Sequence, residues 1–409
     1  MKTDIYLHHN KHLCVFVEAD ERHKFIDDVE KICPNWSLLL EEAKNGFDGF
    51  PFYDRYENGD RTFWDQYLDI IEGYDDNYEY LGSVVDDSIQ IDSENLENKG
   101  DYFAPLLAAV KIAEIYGFGI LQDIVYADDY LVLSSDCELL VCSKFKIPFE
   151  PNPKQKQLRE LMRSKLIEMK PYEEGCLCAK YGTSSPRFSD IENTLFYNIG
   201  VSAFHNVLNR DTAVLFEKMQ RNEMEPCEQL GFEHLYRYVC SIKDKSKNWW
   251  EHMTVCQWDE VSVDKINSSS KATDWFLAIK RSLDKVECLD DTRDANLGLK
   301  IKLSVPKNSN FKDVINTMKP MIDGIVCAFH APKEILVDEV SAKLKIDKEV
   351  FLSAEKTCLA ERKYVDLYRN SVKWDPKDEI LDFVQIEPVM VDSETATFSG
   401  KLFALPCYM

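Results

Sequence analysis

Between Leu297 and Pro306 the chain reads LGLKIKLSVP, and Leu299, Ile301, Leu303 and Val305 recur at every second position, the period of a strand with one apolar face. After a short polar turn the period changes. In NSNFKDVINTMKPMIDGIV, residues 308–326, the apolar residues Phe311, Val314, Ile315, Met318, Met321, Ile322 and Ile325 gather within about 120° at about 100° per residue. Asp313, Asn316, Lys319 and Asp323 fall on a separate arc of similar width. The pattern predicts a strand, a turn and a two-faced helix. Pro320 lies inside that helix, where it removes one backbone hydrogen bond and crowds the carbonyl of Asn316, so a bend on the polar side is expected.

The same reading along the rest of the chain predicts mixed α+β architecture in two or more domains. DIYLHHNKHLCVFVEA reads as two short strands about a polar HNK turn, and Phe25, Val29 and Ile32 have helical spacing within 21–32. AAVKIAEIYG reads as a helix closed by Gly117, and GILQDIVY and YLVLSSDCELLVC as strands, which gives an acidic α+β domain over 1–147. Pro148, Pro151 and Pro153 crowd a linker at 148–153, where neither a helix nor a central strand can continue. Region 154–297 opens with a helix that places Leu158, Leu161, Met162 and Leu166 on one face. It then turns strand-rich, with TLFYNIGVSAF, AVLFEKM, HLYRYVCSI and MTVCQWDEVSV as strands, KATDWFLAIKRSLDKV as a helix and DDTRDANLG as a loop. Region 298–409 forms a C-terminal α+β region built on the strand-helix-strand unit.

Charge narrows the range of partners. The chain has 72 acidic and 49 basic residues in 409, a net charge of −23, and segment 41–101 alone contains 18 acidic against 4 basic side chains, a balance of −14. Such a surface repels phosphate and suits a basic protein partner. The helix after the prolines is the exception. Residues 154–170 carry six basic and two acidic side chains, so Lys154, Lys156, Arg159 and Arg163 offer a local face to an anion such as nucleic acid, or else a solvated helix surface. No stretch of about 18 apolar residues and no apolar leader stands out, and the 13 cysteines contain no CxxC pair, so a cytoplasmic protein with reduced thiols and no membrane contact is expected. The closest-spaced cysteines are Cys176 and Cys178, which lack the repeated pairs of a zinc ribbon.

Candidate chemistry is sparse. His8, His9 and His12 read as an exposed turn rather than a helical metal pair, because the segment is a hairpin. His205, near Asn206 and Asp211, reads as a satisfied buried or edge histidine rather than a base, since no recognisable nucleophile accompanies it. Trp249 and Trp250 next to Lys243, Lys245 and Lys247 combine stacking surface with positive charge, or begin a buried strand behind a soluble loop. Trp374, Asp375 and Asp378 surround Pro376 in a turn between strands, from which the acids could approach the 311–325 helix. No P-loop or GxGxxG fingerprint is present.

Residues 298–342 resemble the signature of the RusA-type Holliday junction resolvases, approximately D-x-D-N-x-x-K-x-x-x-D on a helix after a strand. Aligned residue by residue, the acids of that pattern fall on Asp313 and Asp323, its Asn on Asn316 and its Lys on Lys319, while its second Asp falls on Ile315. The resemblance implies carboxylates that hold Mg²⁺ at a dimeric site and a lysine acting at the scissile phosphate. A further acidic pair on the following strand would correspond to Asp338 and Glu339, which makes Asp313, Asp323 and Asp338 the implied metal ligands. Mg²⁺ needs near-octahedral oxygen coordination, so Ile315 in place of an acid weakens the set. The expectation is a noncatalytic interaction protein without a cofactor, part of a bacterial DNA-handling or phage-defence system, with a degenerate nuclease-like C-terminal region. The alternative is a Mg²⁺-dependent, structure-selective DNA nuclease of RusA-like type.

Overall fold

The computed structural model describes residues 2–8, 13–16, 78–85, 88–91, 112, 115–118, 123–172, 175–185, 190–242, 253–289, 296–369 and 371–405. The expected helix at 21–32, most of the acidic segment 41–101, His9, His12 and residues 243–250 lie outside them. The chain forms two compact units, Met1–Glu138 with Gln229–Gly231, and Leu139–Glu228 with Phe232–Met409. In the first unit β1 (Lys2–His8) and β2 (Leu13–Phe16) form the expected antiparallel pair, and β3 (Tyr78–Val85) and β4 (Ser88–Ile91) extend it in the order β2-β1-β3-β4. A second hairpin joins β5 (Asp123–Ala127) to β6 (Tyr130–Ser134). The run YLVLSSDCELLVC is not one strand. Ser135 Oγ accepts the backbone N–H groups of Cys137 and Glu138 at 3.3 and 3.0 Å and turns the chain there, which separates β6 from β7 (Glu138–Ser143).

The second unit continues with α1 (Pro153–Glu168), β8 (Gly175–Thr183), β9 (Ala213–Lys218), α2 (Arg221–Gln229), β10 (His234–Ile242), β11 (Met253–Val263), α3 (Ala272–Lys280) and β12 (Val286–Cys288). It ends with β13 (Leu297–Pro306), α4 (Ile315–Phe329), β14 (His330–Pro332), α5 (Val337–Leu344), α6 (Glu349–Leu352), β15 (Leu359–Arg362), β16 (Val365–Tyr368), β17 (Ser371–Trp374), β18 (Leu381–Val391) and β19 (Ala396–Ala404). Its main sheet runs β12-β11-β19-β13-β18-β9-β8-β10-β7. Pairing is mixed, with β13 parallel to β18 and β8 parallel to β9, while β19 lies antiparallel between β11 and β13. This order bears on the expected division at 297 and 298. The last two strands of the chain insert on either side of β13 and bond to β9 and β11, so residues from both sides of that division share one sheet. The proline string lies within the second unit, between β7 and α1.

The local chemistry of α1 follows its sequence. Asn152 accepts the N–H of Gln155 at 3.0 Å while Gln155 Oε1 accepts the N–H of Asn152 at 2.9 Å, a reciprocal cap with Pro153 at the first helical position. Leu158, Met162 and Leu166 are fully buried on its inner face. The segment TLFYNIGVSAF departs from the expected strand. Asn193–Tyr197 forms a wide helical turn closed by the Asn198 N–H on the Asn193 carbonyl, and Val201–Phe204 a 3₁₀ turn. Asp190 initiates the first turn by accepting the Asn193 N–H at 2.9 Å, and Gly200 reverses the chain at φ +112°. The turn delivers Phe196 against Phe204 and Phe216, at centroid distances of 5.1 and 5.4 Å, so the period-2 reading yields to tertiary packing of aromatics.

Helix α4 begins at Ile315, four residues later than its apolar periodicity starts, and buries Ile315, Met318, Met321, Ile322 and Ile325 as the pattern requires. It packs against α3. A Cβ at Gly324 would collide with the Ala272 carbonyl oxygen and lie 2.8 Å from Trp275 Cβ, so the close approach of the two helices needs a glycine there. Trp275 then reaches Phe398 at 5.1 Å, and Trp258 reaches Phe329 at 5.4 Å, which joins the helical layer to the sheet.

Candidate functional site

The polar arc of α4 divides into two groups. At its start Asp313, 6% exposed, accepts the Asn316 side-chain amide at 3.1 Å, and its other carboxylate oxygen lies 3.5 Å from His205 Nδ1. His205 therefore faces Asp313. Asp211 has its backbone N–H on Asn209 Oδ1, and Asn206 donates to the Ile167 carbonyl. His205, Asn209, Asn267, Asn310, Asp313 and Asn316 line a polar cavity of about 570 Å³.

One turn later Lys319 is the centre of the second group. Its ammonium lies 3.3 Å from Asp323, 3.8 Å from Glu192 and 3.9 Å from Asp190. Glu192 is almost fully buried and Asp323 largely so, which makes this a cluster of three carboxylates around one tethered cation in poorly solvated surroundings. Burial pushes the Asp323 carboxyl up from 3.8 to about 6, against the opposing pull of Lys319, with Asp190 and Asp375 adding negative charge. Asp375, in the turn around Pro376, pairs with Arg362 at 3.2 Å. The side chain of Asp378 lies outside the described residues.

Tyr197 joins the cluster to the helix backbone. Its hydroxyl donates to the Ile315 carbonyl at 3.1 Å and accepts the Lys319 N–H at 3.3 Å, so it bonds both members of one i, i+4 pair of the helix. Burial pushes its pKa up and keeps the proton needed for that donation. Pro320, the next residue, lacks the N–H that would bond the Asn316 carbonyl, and the helix nevertheless runs without interruption from Ile315 to Phe329. Asp190, Glu192 and Tyr197 escaped the sequence reading. Their signal was the pair of acids in SDIENTLFYN, charged residues against an apolar run that a strand assignment left unexplained.

Asp338 and Glu339 do not lie on a strand. They occupy the first turn of α5, where carboxylates complement the helix dipole, and Asp338 is highly exposed beside Lys348 at 3.8 Å. Among the described residues no three His, Cys, Asp or Glu side chains form a group suited to a metal ion, so Asp313, Asp323 and Asp338 are not brought together as such a set. On α1, Arg163 donates to Ser202 at 3.1 Å and pairs with Glu160, and Arg159 also lies beside Glu160, so both arginines of the basic face are engaged within the protein while Lys156 is exposed. On β8 the thiols of Cys176 and Cys178 lie 3.7 Å apart, and hydrogen bonding to Cys176 draws the Cys178 pKa down to about 7 against burial. No helix among the described residues is long and apolar enough to cross a membrane. Comparison of the chain with protein-family models, with curated proteins and with solved structures finds no match.

Proposed function

We propose that this chain is a noncatalytic, cytoplasmic interaction protein of a DNA-handling or phage-defence assembly, with a nuclease-like strand and helix in its C-terminal region whose cation is internal. The observation that carries the reading is Lys319, whose ammonium stands within 4 Å of Asp190, Glu192 and Asp323, where a nuclease would need room for a metal ion and a phosphate. A lysine held by three carboxylates is a neutralising staple rather than a group presented to substrate. Asp313 is engaged separately with His205 and Asn316. The segment 41–101, with its −14 balance, supplies the surface for a basic partner, and the exposed lysines of α1 a lesser one for nucleic acid.

The experiment offers purified protein a four-way DNA junction, duplex and single strand with Mg²⁺ or Mn²⁺, and in parallel measures retention on immobilised poly-L-lysine. The expected result is intact DNA and retention that falls several-fold as salt rises from low to moderate ionic strength. Metal-dependent cleavage that disappears in Asp323→Asn overturns the reading in favour of a RusA-like nuclease using Asp313, Asp323 and Lys319. Retention unchanged when the acids of 41–101 are neutralised overturns the electrostatic part.

A further inference from the structure

We propose that Cys176 and Cys178 form a two-sulfur chelate for a thiophilic centre with bonds near 2.3 Å, such as Zn²⁺ or a trivalent arsenical. The two residues are i and i+2 on β8, so their side chains leave the same face of the sheet. Their sulfurs lie 3.7 Å apart. A tetrahedral zinc ion with bonds of about 2.3 Å holds two thiolates about 3.8 Å apart, and a pyramidal trivalent arsenic holds them at about 3.4 Å, so the sulfurs already stand at or within about 0.3 Å of the bite either centre requires.

The backbone argues against the competing fate of a neighbouring cysteine pair. Residues i and i+2 of a strand have Cα atoms about 6.6 Å apart at about 3.3 Å rise per residue, the upper limit for a disulfide, whose sulfurs must close to about 2.05 Å. β8 cannot pucker cheaply to allow that closure. It is bonded on one side to β10 over nine registered pairs, Gly175 to Thr183, and on the other to β9 from Cys176 to Tyr181. The same rigidity keeps the thiols at chelating distance, so binding costs little ordering.

The surroundings fit a soft ligand. Cys176 is 2% exposed within an apolar cluster that includes Leu215, Phe383 and Phe403, while Cys178 is partly exposed and gives access. Ser241 Oγ, 3.6 Å from Cys178 Sγ, offers an adjacent oxygen. With two protein sulfurs the remaining positions on a zinc ion fall to water or an exogenous donor, whereas a monosubstituted arsenical needs two sulfurs and no more. With phenylarsine oxide the step balances without redox change: two As–S bonds form, the As–O double bond breaks, and the two thiol protons leave with the oxygen as water.

The test treats the reduced full-length protein with phenylarsine oxide and maps alkylation by iodoacetamide at each cysteine by peptide mass. Protection of Cys176 and Cys178 together, at one arsenic per site, is expected, and loss of that equivalent in Cys178→Ser. Competition by Zn²⁺, which raises the arsenical concentration needed for half-protection at least tenfold, supports zinc as the ion held. Both thiols alkylating at the untreated rate in the wild-type protein overturns the proposal, and so does a Cys178-dependent loss of 2 Da on treatment with oxidised glutathione. The wild-type mapping stands even if the variant folds poorly.

Discussion

Replacing Asp323 by Asn tests the electrostatic account of the Lys319 cluster. In the folded protein the Asp323 carboxyl titrates near 6 rather than 3.8, chiefly because it is buried. At about 1.4 kcal/mol per pH unit, that displacement makes the ionised form about 3 kcal/mol less compatible with the fold than the protonated form. The sign follows from proton counts. Between pH 3.8 and 6 the native state keeps a proton that the unfolded chain has released, so the contribution of Asp323 is full below about pH 3.8, declines as pH rises to about 6, and is flat above. Asn is nearly isosteric and does not titrate. The stability of Asp323→Asn minus that of the wild type should therefore rise by up to about 3 kcal/mol between pH 4 and 7, with groups remote from the cluster cancelling in the difference. Urea unfolding followed by tryptophan emission at four pH values and constant ionic strength measures it. A difference constant to within about 0.5 kcal/mol, or one that falls with pH, refutes the reasoning and shows that the ion pair with Lys319 outweighs burial.

Three further changes probe single contacts. Tyr197→Phe removes a hydroxyl that bonds both the Ile315 carbonyl and the Lys319 N–H, so a loss of about 0.5–1.5 kcal/mol is expected by urea unfolding, and an unchanged midpoint would show that the helix needs no bond from Tyr197. Gly324→Ala places a methyl group against the Ala272 carbonyl and Trp275 and should cost about 1–3 kcal/mol or more, read as a Tm lowered by several degrees; an equal or higher Tm would mean α3 and α4 separate freely. Asn152→Ala removes the side-chain acceptor of the Gln155 N–H and leaves the backbone half of the α1 cap in place, for about 1 kcal/mol, and amide hydrogen exchange should accelerate in the first turn of α1 while β8 is unaffected.

Sequence alone determined the mixed α+β class, strands β1 and β2, strand β13 and the apolar face of α4, because each depends on local periodicity that a few neighbouring residues express. It also located α1 from its spaced apolar residues, although Pro153, assigned to the linker, proved to be the first helical residue and Asn152 its cap. Local pattern went astray where long-range burial decides. The aromatic run at 194–204 has the composition of a strand, yet Phe196 and Phe204 are buried by a wide turn that starts on Asp190. The ILVDEV run became the start of a helix, since two carboxylates suit a helix N-terminus as well as they would suit a strand edge. The site shows the same contrast more sharply. Periodicity put Asp313, Asn316, Lys319 and Asp323 on one arc, but only the tertiary structure assigned their partners, pairing Asp313 with His205 and surrounding Lys319 with Asp190, Glu192 and Asp323. Charge partners more than a hundred residues apart leave no periodic trace, because the sheet brings them together through strand order. Which acids share a cation is therefore a property of topology, whereas which face of a helix is polar is a property of the sequence.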